Sequence, residues 1–240
     1  MHPLLKQAHP QWHIILDKAL GHVDPDYLKE LETMGSCLPN KECIFRAFSI
    51  PLAATEYVLL GESPYPRPES ANGFAFWDNA VGSLWSSTGL SKEVNRATSL
   101  RNWIKMLLYA RGDLQQDFSQ NAIAKLNKTS YVQTASELFN AFLNKGFLLL
   151  NATLVYSKGD VNYHARKWKP FIQQLFLQLA EIKPSLKLVL FGRIANEIPG
   201  SDLFSSLIAE HPYNLSFITN PNVVAFFKPL DLLSHEKKHN

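Results

Sequence analysis

Three short runs in this chain are apolar without alternation: "EYVLLG" (56–61), "FLLLNATLVY" (147–156) and "KLVLFG" (187–192). Each is too short for a buried helix and ends in glycine or polar residues, which identifies it as a strand. A strand that is apolar on both faces has to be covered on both faces. That condition is met in parallel sheets lying between helices. A fourth, weaker run, "SSLIAEHP" (205–212), supplies another strand.

The intervening segments carry the covering helices. "QWHIILDKAL" and "DPDYLKELETM" read as helices near the start, the second capped by Asp24 with Pro25 at its first position. "SLRNWIKMLLYAR" (99–111) and "TASELFNAFLNKG" (134–146) follow, the latter closed by glycine, and "WKPFIQQLFLQLAEIK" (168–183) is amphipathic. The expectation is an α/β protein, a three-layer α/β/α arrangement around a central, mainly parallel four-stranded sheet. One domain is expected over residues 1–234, with a flexible tail at 235–240. With 46% apolar residues in 240, the chain can bury a full core.

Other classes are excluded more briefly. Two cysteines, Cys37 and Cys43, are too few for a structural zinc site or an iron–sulfur cluster, so free thiols, no metal and no cofactor are expected. No run approaches ~20 apolar residues and no leader pattern opens the sequence, so a cytoplasmic protein without membrane association is expected. The net charge of +3 permits a polyanionic partner without demanding one.

In parallel α/β sheets ligands bind outside the carboxyl ends of the strands. The residues placed there are Gly61-Glu62-Ser63-Pro64-Tyr65, Asn151, Gly192-Arg193 and His211-Pro212-Tyr213-Asn214-Leu215-Ser216, with Phe76 nearby. An amide, an imidazole and aromatic rings among them suit a flat polar ring held by stacking and edge hydrogen bonds. Taken singly, each has a plainer reading. Tyr65 and Phe76 are also plausible core aromatics, Asn151 a strand-end residue, His211 a satisfied histidine and Leu215 a loop anchor.

Four segments in order resemble the uracil-DNA glycosylase superfamily, and within it the classical uracil-excising family. "GESPYP" (61–66) resembles the motif Gly-Gln-Asp-Pro-Tyr-His, and "NGFAF" (72–76) the segment with the stacking phenylalanine. "GFLLLNATL" (146–154) resembles the Gly-Val-Leu-Leu-Leu-Asn run, and "HPYNLS" (211–216) the motif His-Pro-Ser-Pro-Leu-Ser. The resemblance implies that Tyr65 excludes thymine by collision with its methyl group, that Phe76 stacks on the base, and that Asn151 reads the pyrimidine edge. His211 would bond O2 of the leaving base, and Glu62 would serve through its backbone. Leu215 would fill the gap left by a flipped nucleotide. Pro64 and the loop serines, Ser216 among them, would pinch the backbone phosphates, and Tyr213, where the family motif has serine, adds an aromatic ring to lie against DNA. Arg67, Arg166 and Lys167 read equally as phosphate contacts or as solvated charges.

The resemblance breaks at Ser63, where the family carries an aspartate that orients or activates water. A serine hydroxyl is uncharged and not basic near neutral pH, and general-base assistance is typically worth ~10²–10⁴-fold. Glu62 and Asp78 read as solvated carboxylates. Asp78, two residues beyond Phe76, is nevertheless the candidate substitute, since on an extended segment it would face the same way as Phe76. Two readings follow. One is a monomeric glycosylase acting on uracil or a related damaged base in DNA, as in base excision repair, with weakened catalysis. The other is an inactive relative that binds DNA or a protein partner.

Overall fold

The computed structural model describes residues 2–35, 37–196 and 198–235. In chain order the helices and strands are α1 (His13–Leu20), α2 (Pro25–Thr33), β1 (Tyr57–Gly61), β2 (Trp85–Ser86), β3 (Gly89–Leu90), α3 (Lys92–Arg96) and α4 (Thr98–Arg111). Then come α5 (Gln120–Ala124), α6 (Ala135–Asn144), β4 (Phe147–Asn151), α7 (Val161–Ile182), β5 (Lys187–Phe191), β6 (Ser205–Ala209) and α8 (Pro221–Phe227). Short 3-10 turns join several of them. The four strands expected from sequence form one sheet in the order β4-β1-β5-β6. β1 pairs in parallel with β4 on one side and β5 on the other, in registers that set Gly61 opposite Asn151 and Leu60 opposite Leu190. It is an α/β fold, a parallel sheet flanked by helices.

The chain divides into two compact units. The first comprises residues 1–78 and 146–206; the second comprises 79–145 and 207–240.

In the first unit all five residues of β4 and the last four of β1 and β5 are buried, as their unbroken apolar character requires. Helix α7 turns Trp168, Phe171, Ile172, Leu175, Phe176 and Leu179 inward, the 3- and 4-residue spacing of a single helical face. Trp168 and Phe171 meet edge-on at 5.4 Å, and Phe45 and Tyr27 join the cluster. Burying each such ring stabilises the unit by about 1.5–3 kcal/mol. Asp24 caps α2 by accepting from the Asp26 amide, as its sequence predicts. Helix α7 starts seven residues before the position read from sequence, and Pro170 lies within it. Proline is commonest in the first turn of a helix, which places the predicted start too late.

The second unit is built around α4. Trp103 makes edge contacts with Phe142, Phe217 and Phe227 at 5.6–5.9 Å, which draws α6, α8 and the turn after residue 214 onto one helix. Thr134 and Glu137 form a capping box on α6, and Gly146 follows its end at φ 79°, the left-handed geometry expected of that glycine. No helix among the described residues is long and apolar enough to cross a membrane. The two cysteines are free thiols, Cys37 buried and Cys43 half-buried. Of the predicted tail, residues 236–240 lie outside the described residues.

Candidate active site

The carboxyl ends of β1 and β4 form the centre of the site in the first unit. The parallel ladder continues past both strands, with the Ala152 amide donating to the Gly61 carbonyl at 2.8 Å and the Thr153 amide to that of Glu62 at 3.0 Å. The loop bearing Ser63 and the loop bearing Asn151 are therefore held side by side. Asn151 is 4% exposed, and its side chain makes no hydrogen bond to any described residue. An amide so placed, at the carboxyl end of a parallel sheet, is able to pair with a group from outside the protein.

Gly61 makes this possible. A Cβ there would lie 2.5 Å from Asn151 Oδ1, 2.9 Å from Ala75 Cβ and 3.6 Å from Phe76 Cε2. The segment 72–76 is fastened to β4 by the Ala75 amide, which donates to the Leu149 carbonyl at 3.0 Å. Phe76 then turns sharply, with φ 62°. The Tyr65 hydroxyl donates to the Phe76 carbonyl at 3.2 Å, so these two aromatic residues are joined directly. Burial, with the charge of Asp78 added, pushes the Tyr65 phenol well above its ordinary range and keeps it a hydrogen-bond donor.

Asp78 departs from expectation in two respects. The positive φ at Phe76 breaks the extended geometry on which its shared direction with Phe76 rested. It is also 4% exposed and bonded to Arg67 at 2.8 Å, so it is a paired, buried carboxylate, not a solvated one. Arg67 is correspondingly engaged. Ser63 is half-buried; Glu62 is exposed and faces Arg193 at 3.7 Å. Pro64 is buried, which leaves it little surface for a DNA phosphate and makes it a stiffener of the turn.

The second unit carries the loop 211–216. Tyr213 and Leu215 are 66% and 72% exposed, the state the resemblance implies for Leu215. The Tyr213 amide donates to His211 Nδ1 at 3.1 Å, which leaves the proton of the neutral ring on Nε2. Burial tends to raise the Glu210 carboxyl. Its own backbone, Ser216 and Asn220, whose side-chain amide donates to it at 2.7 Å, outweigh that effect and hold it below the ordinary range.

One residue of this loop's support escaped the sequence reading. Asn102, fully buried on α4, donates its side-chain amide to the carbonyls of Pro212 at 2.9 Å and Tyr213 at 3.1 Å, with Asn214 at 3.5 Å. The only available signal was an asparagine in the middle of an otherwise apolar helical face. Among the described residues, no group of three or more His, Cys, Asp or Glu is placed to hold a metal ion.

No protein-family model matches the sequence. The curated uracil-DNA glycosylase of Corynebacterium glutamicum is 29% identical over 170 residues, 67% of this chain, and the match spans 63% of that protein, just under two thirds of its length. The uracil-DNA glycosylase of Lactococcus lactis subsp. cremoris is 28% identical over 197 residues, covering 80% of this chain and 76% of that protein. The crystal structure of wild-type UNG from Nitratifractor salsuginis superposes with a TM-score of 0.93 at 40% identity, covering 97% of this chain and 96% of that one. Similarity of that extent shows that this chain belongs to the uracil-DNA glycosylase superfamily.

Proposed function

We propose that this protein is a DNA N-glycosylase that hydrolyses the bond between deoxyribose and uracil, or a related damaged base, in DNA. The observation that carries the reading is the buried, uncommitted amide of Asn151 beside Phe76 at the ends of β1 and β4. Such an amide accepts from N3–H and donates to O4 of uracil, a pattern cytosine inverts. Tyr65, tied to the Phe76 carbonyl, is the wall that excludes a 5-methyl group. Phe76 supplies the stacking face. By the family resemblance, His211, protonated on Nε2 in its neutral form, is the donor to O2 as the glycosidic electrons pass to the leaving base. Water then adds to the sugar carbon, and its proton passes through solvent to the departing base anion.

Ser63 is the weak element. A hydroxyl positions water without carrying the charge that favours a developing sugar cation, so turnover is slow. A second reading, an inactive relative that binds DNA or a protein partner, is favoured by one observation: Asp78, the candidate substitute acid, is already paired with Arg67. Single-turnover excision from a uracil-containing single strand separates the two. The glycosylase reading expects slow cleavage by wild type, about 10-fold or more acceleration in Ser63→Asp, and little effect of Asp78→Asn beyond stability. No excision by wild type or Ser63→Asp leaves the binding reading.

A further inference from the structure

Helix α7 and the loops after β4 and β5 enclose a cleft of about 510 Å³ in the first unit, within the usual range for small-ligand sites. Its lining includes Thr153, Asn162, Arg166, Lys169 and Ile194, with Glu62 at its edge. The charges are unevenly spent. Lys167, between the two cleft cations in sequence, is paired with Asp24 at 2.5 Å. Arg166 and Lys169 are exposed and have no hydrogen-bond or ion-pair partner among the described residues. They stand three residues apart on α7, which puts them on one face of the helix. The acid lining the cleft, Glu62, is faced by Arg193. Among the described residues the cleft therefore holds two uncompensated positive charges, an amide and a hydroxyl, and no aromatic side chain to stack on a base.

We infer that this cleft is a phosphate site for a nucleotide. It takes either a backbone diester of a bound DNA strand or the monoester of a free nucleotide. Guanidinium and ammonium groups left unpaired beside an amide donor match the oxygens of a phosphate, and the apolar wall at Ile194 suits a deoxyribose. Its floor is the pair of loops joined by the Thr153 amide and the Glu62 carbonyl, so its occupant touches the same turns that carry Ser63 and Asn151. The inference extends the glycosylase reading but is testable apart from it.

The test compares wild type, Arg166→Ala/Lys169→Ala and Lys167→Ala, with matching thermal melts to show that each is folded. Binding of a uracil-free single-stranded oligonucleotide is measured by anisotropy between 50 and 200 mM salt, and binding of dUMP and of inorganic phosphate by NMR titration. Each single-strand phosphate neutralised contributes about 0.7 to the slope of log affinity on log salt, so a strand in the cleft makes the double variant shallower by about 1.4. Lys167→Ala leaves the slope unchanged. A free nucleotide instead gives saturable shifts at Thr153 and Asn162 in wild type that the double variant loses, with the oligonucleotide slope unaltered. Either result supports the site. Unchanged slope and titration in the double variant, or an equal effect of Lys167→Ala, overturns it. A protein that excises uracil yet ignores both cleft substitutions loses the cleft and keeps the glycosylase reading. One that excises nothing yet loses phosphate binding on substitution does the reverse.

Discussion

A single methyl group at Gly61 should disable base reading while leaving the fold standing. In Gly61→Ala the new Cβ starts 2.5 Å from Asn151 Oδ1 and 2.9 Å from Ala75 Cβ, where ordinary contact begins near 3.4 Å. Ala75 has little freedom to move, because its amide is bonded to the Leu149 carbonyl. The Asn151 amide has no hydrogen bond to a described residue holding it and is the group that gives way, by about 0.9 Å. Overpacking of this kind costs about 1–3 kcal/mol. For a chain of this size that lowers Tm by roughly 2–12 °C. A displacement near 1 Å in a positioning group costs about 10²-fold in rate. Thermal melts and single-turnover excision on the same preparations give both quantities. Because the methyl acts through Asn151, Asn151→Ala should lose little more activity when added to Gly61→Ala than the latter loses alone. A folded Gly61→Ala protein with wild-type excision, or one whose losses add independently to those of Asn151→Ala, refutes the placement of the base beside that amide.

Three other outcomes are expected. Asn102→Ala strips the donor from the Pro212 and Tyr213 carbonyls and should destabilise the protein by about 1–3 kcal/mol; calorimetry and excision should show Asn102→Asp, which sets a carboxylate against those carbonyls, to be worse still. Leu215→Ala, at a 72% exposed position, should leave Tm unchanged and weaken binding to a uracil-containing duplex more than to the single strand, as measured by anisotropy. His164 is fully buried, with Nδ1 2.7 Å from the Tyr27 hydroxyl and Nε2 2.8 Å from Ser157 Oγ, and burial holds its pKa below the ordinary value. Its neutral form is the one the fold accepts, so stability is full above about pH 6.5 and falls as pH drops through the depressed folded value. Urea midpoints from pH 7.5 to 5 should show that loss in wild type and a smaller one in His164→Gln.

The sheet was legible because burial on both faces writes itself as an unbroken apolar run, and β1, β4 and β5 each do so. The crevice rule points to the residues at the carboxyl ends of the strands, and the structure has Asn151 at the end of β4 and Tyr65 in the loop that leaves β1. Three things could not be read. The left-handed turn at Phe76 occurs at a residue type that rarely adopts it, so an extended segment is the natural expectation from sequence and the premise for the direction of Asp78 does not hold. Asn102 is separated from Pro212 by 110 residues, and a polar residue within a helix carries no mark of which distant carbonyl it serves. The β2–β3 ribbon has two residues per strand, too few for any period to show.

The strand order has a consequence for how the protein is made. β1 is flanked by β4 and β5, whose first residues follow its last by roughly 85 and 125 positions. At synthesis rates of about 5–20 residues per second, the nascent β1 waits on the order of 4–20 s for its first neighbour. Throughout that interval four of its five residues, destined for complete burial, leave the ribosome as an apolar segment with both edges bare. Long-range parallel pairing is slow even after the partner arrives. Yield in a heterologous host should therefore depend on chaperones that shelter nascent chains, and on translation speed across residues 62–146, far more than the stability of the finished fold would suggest.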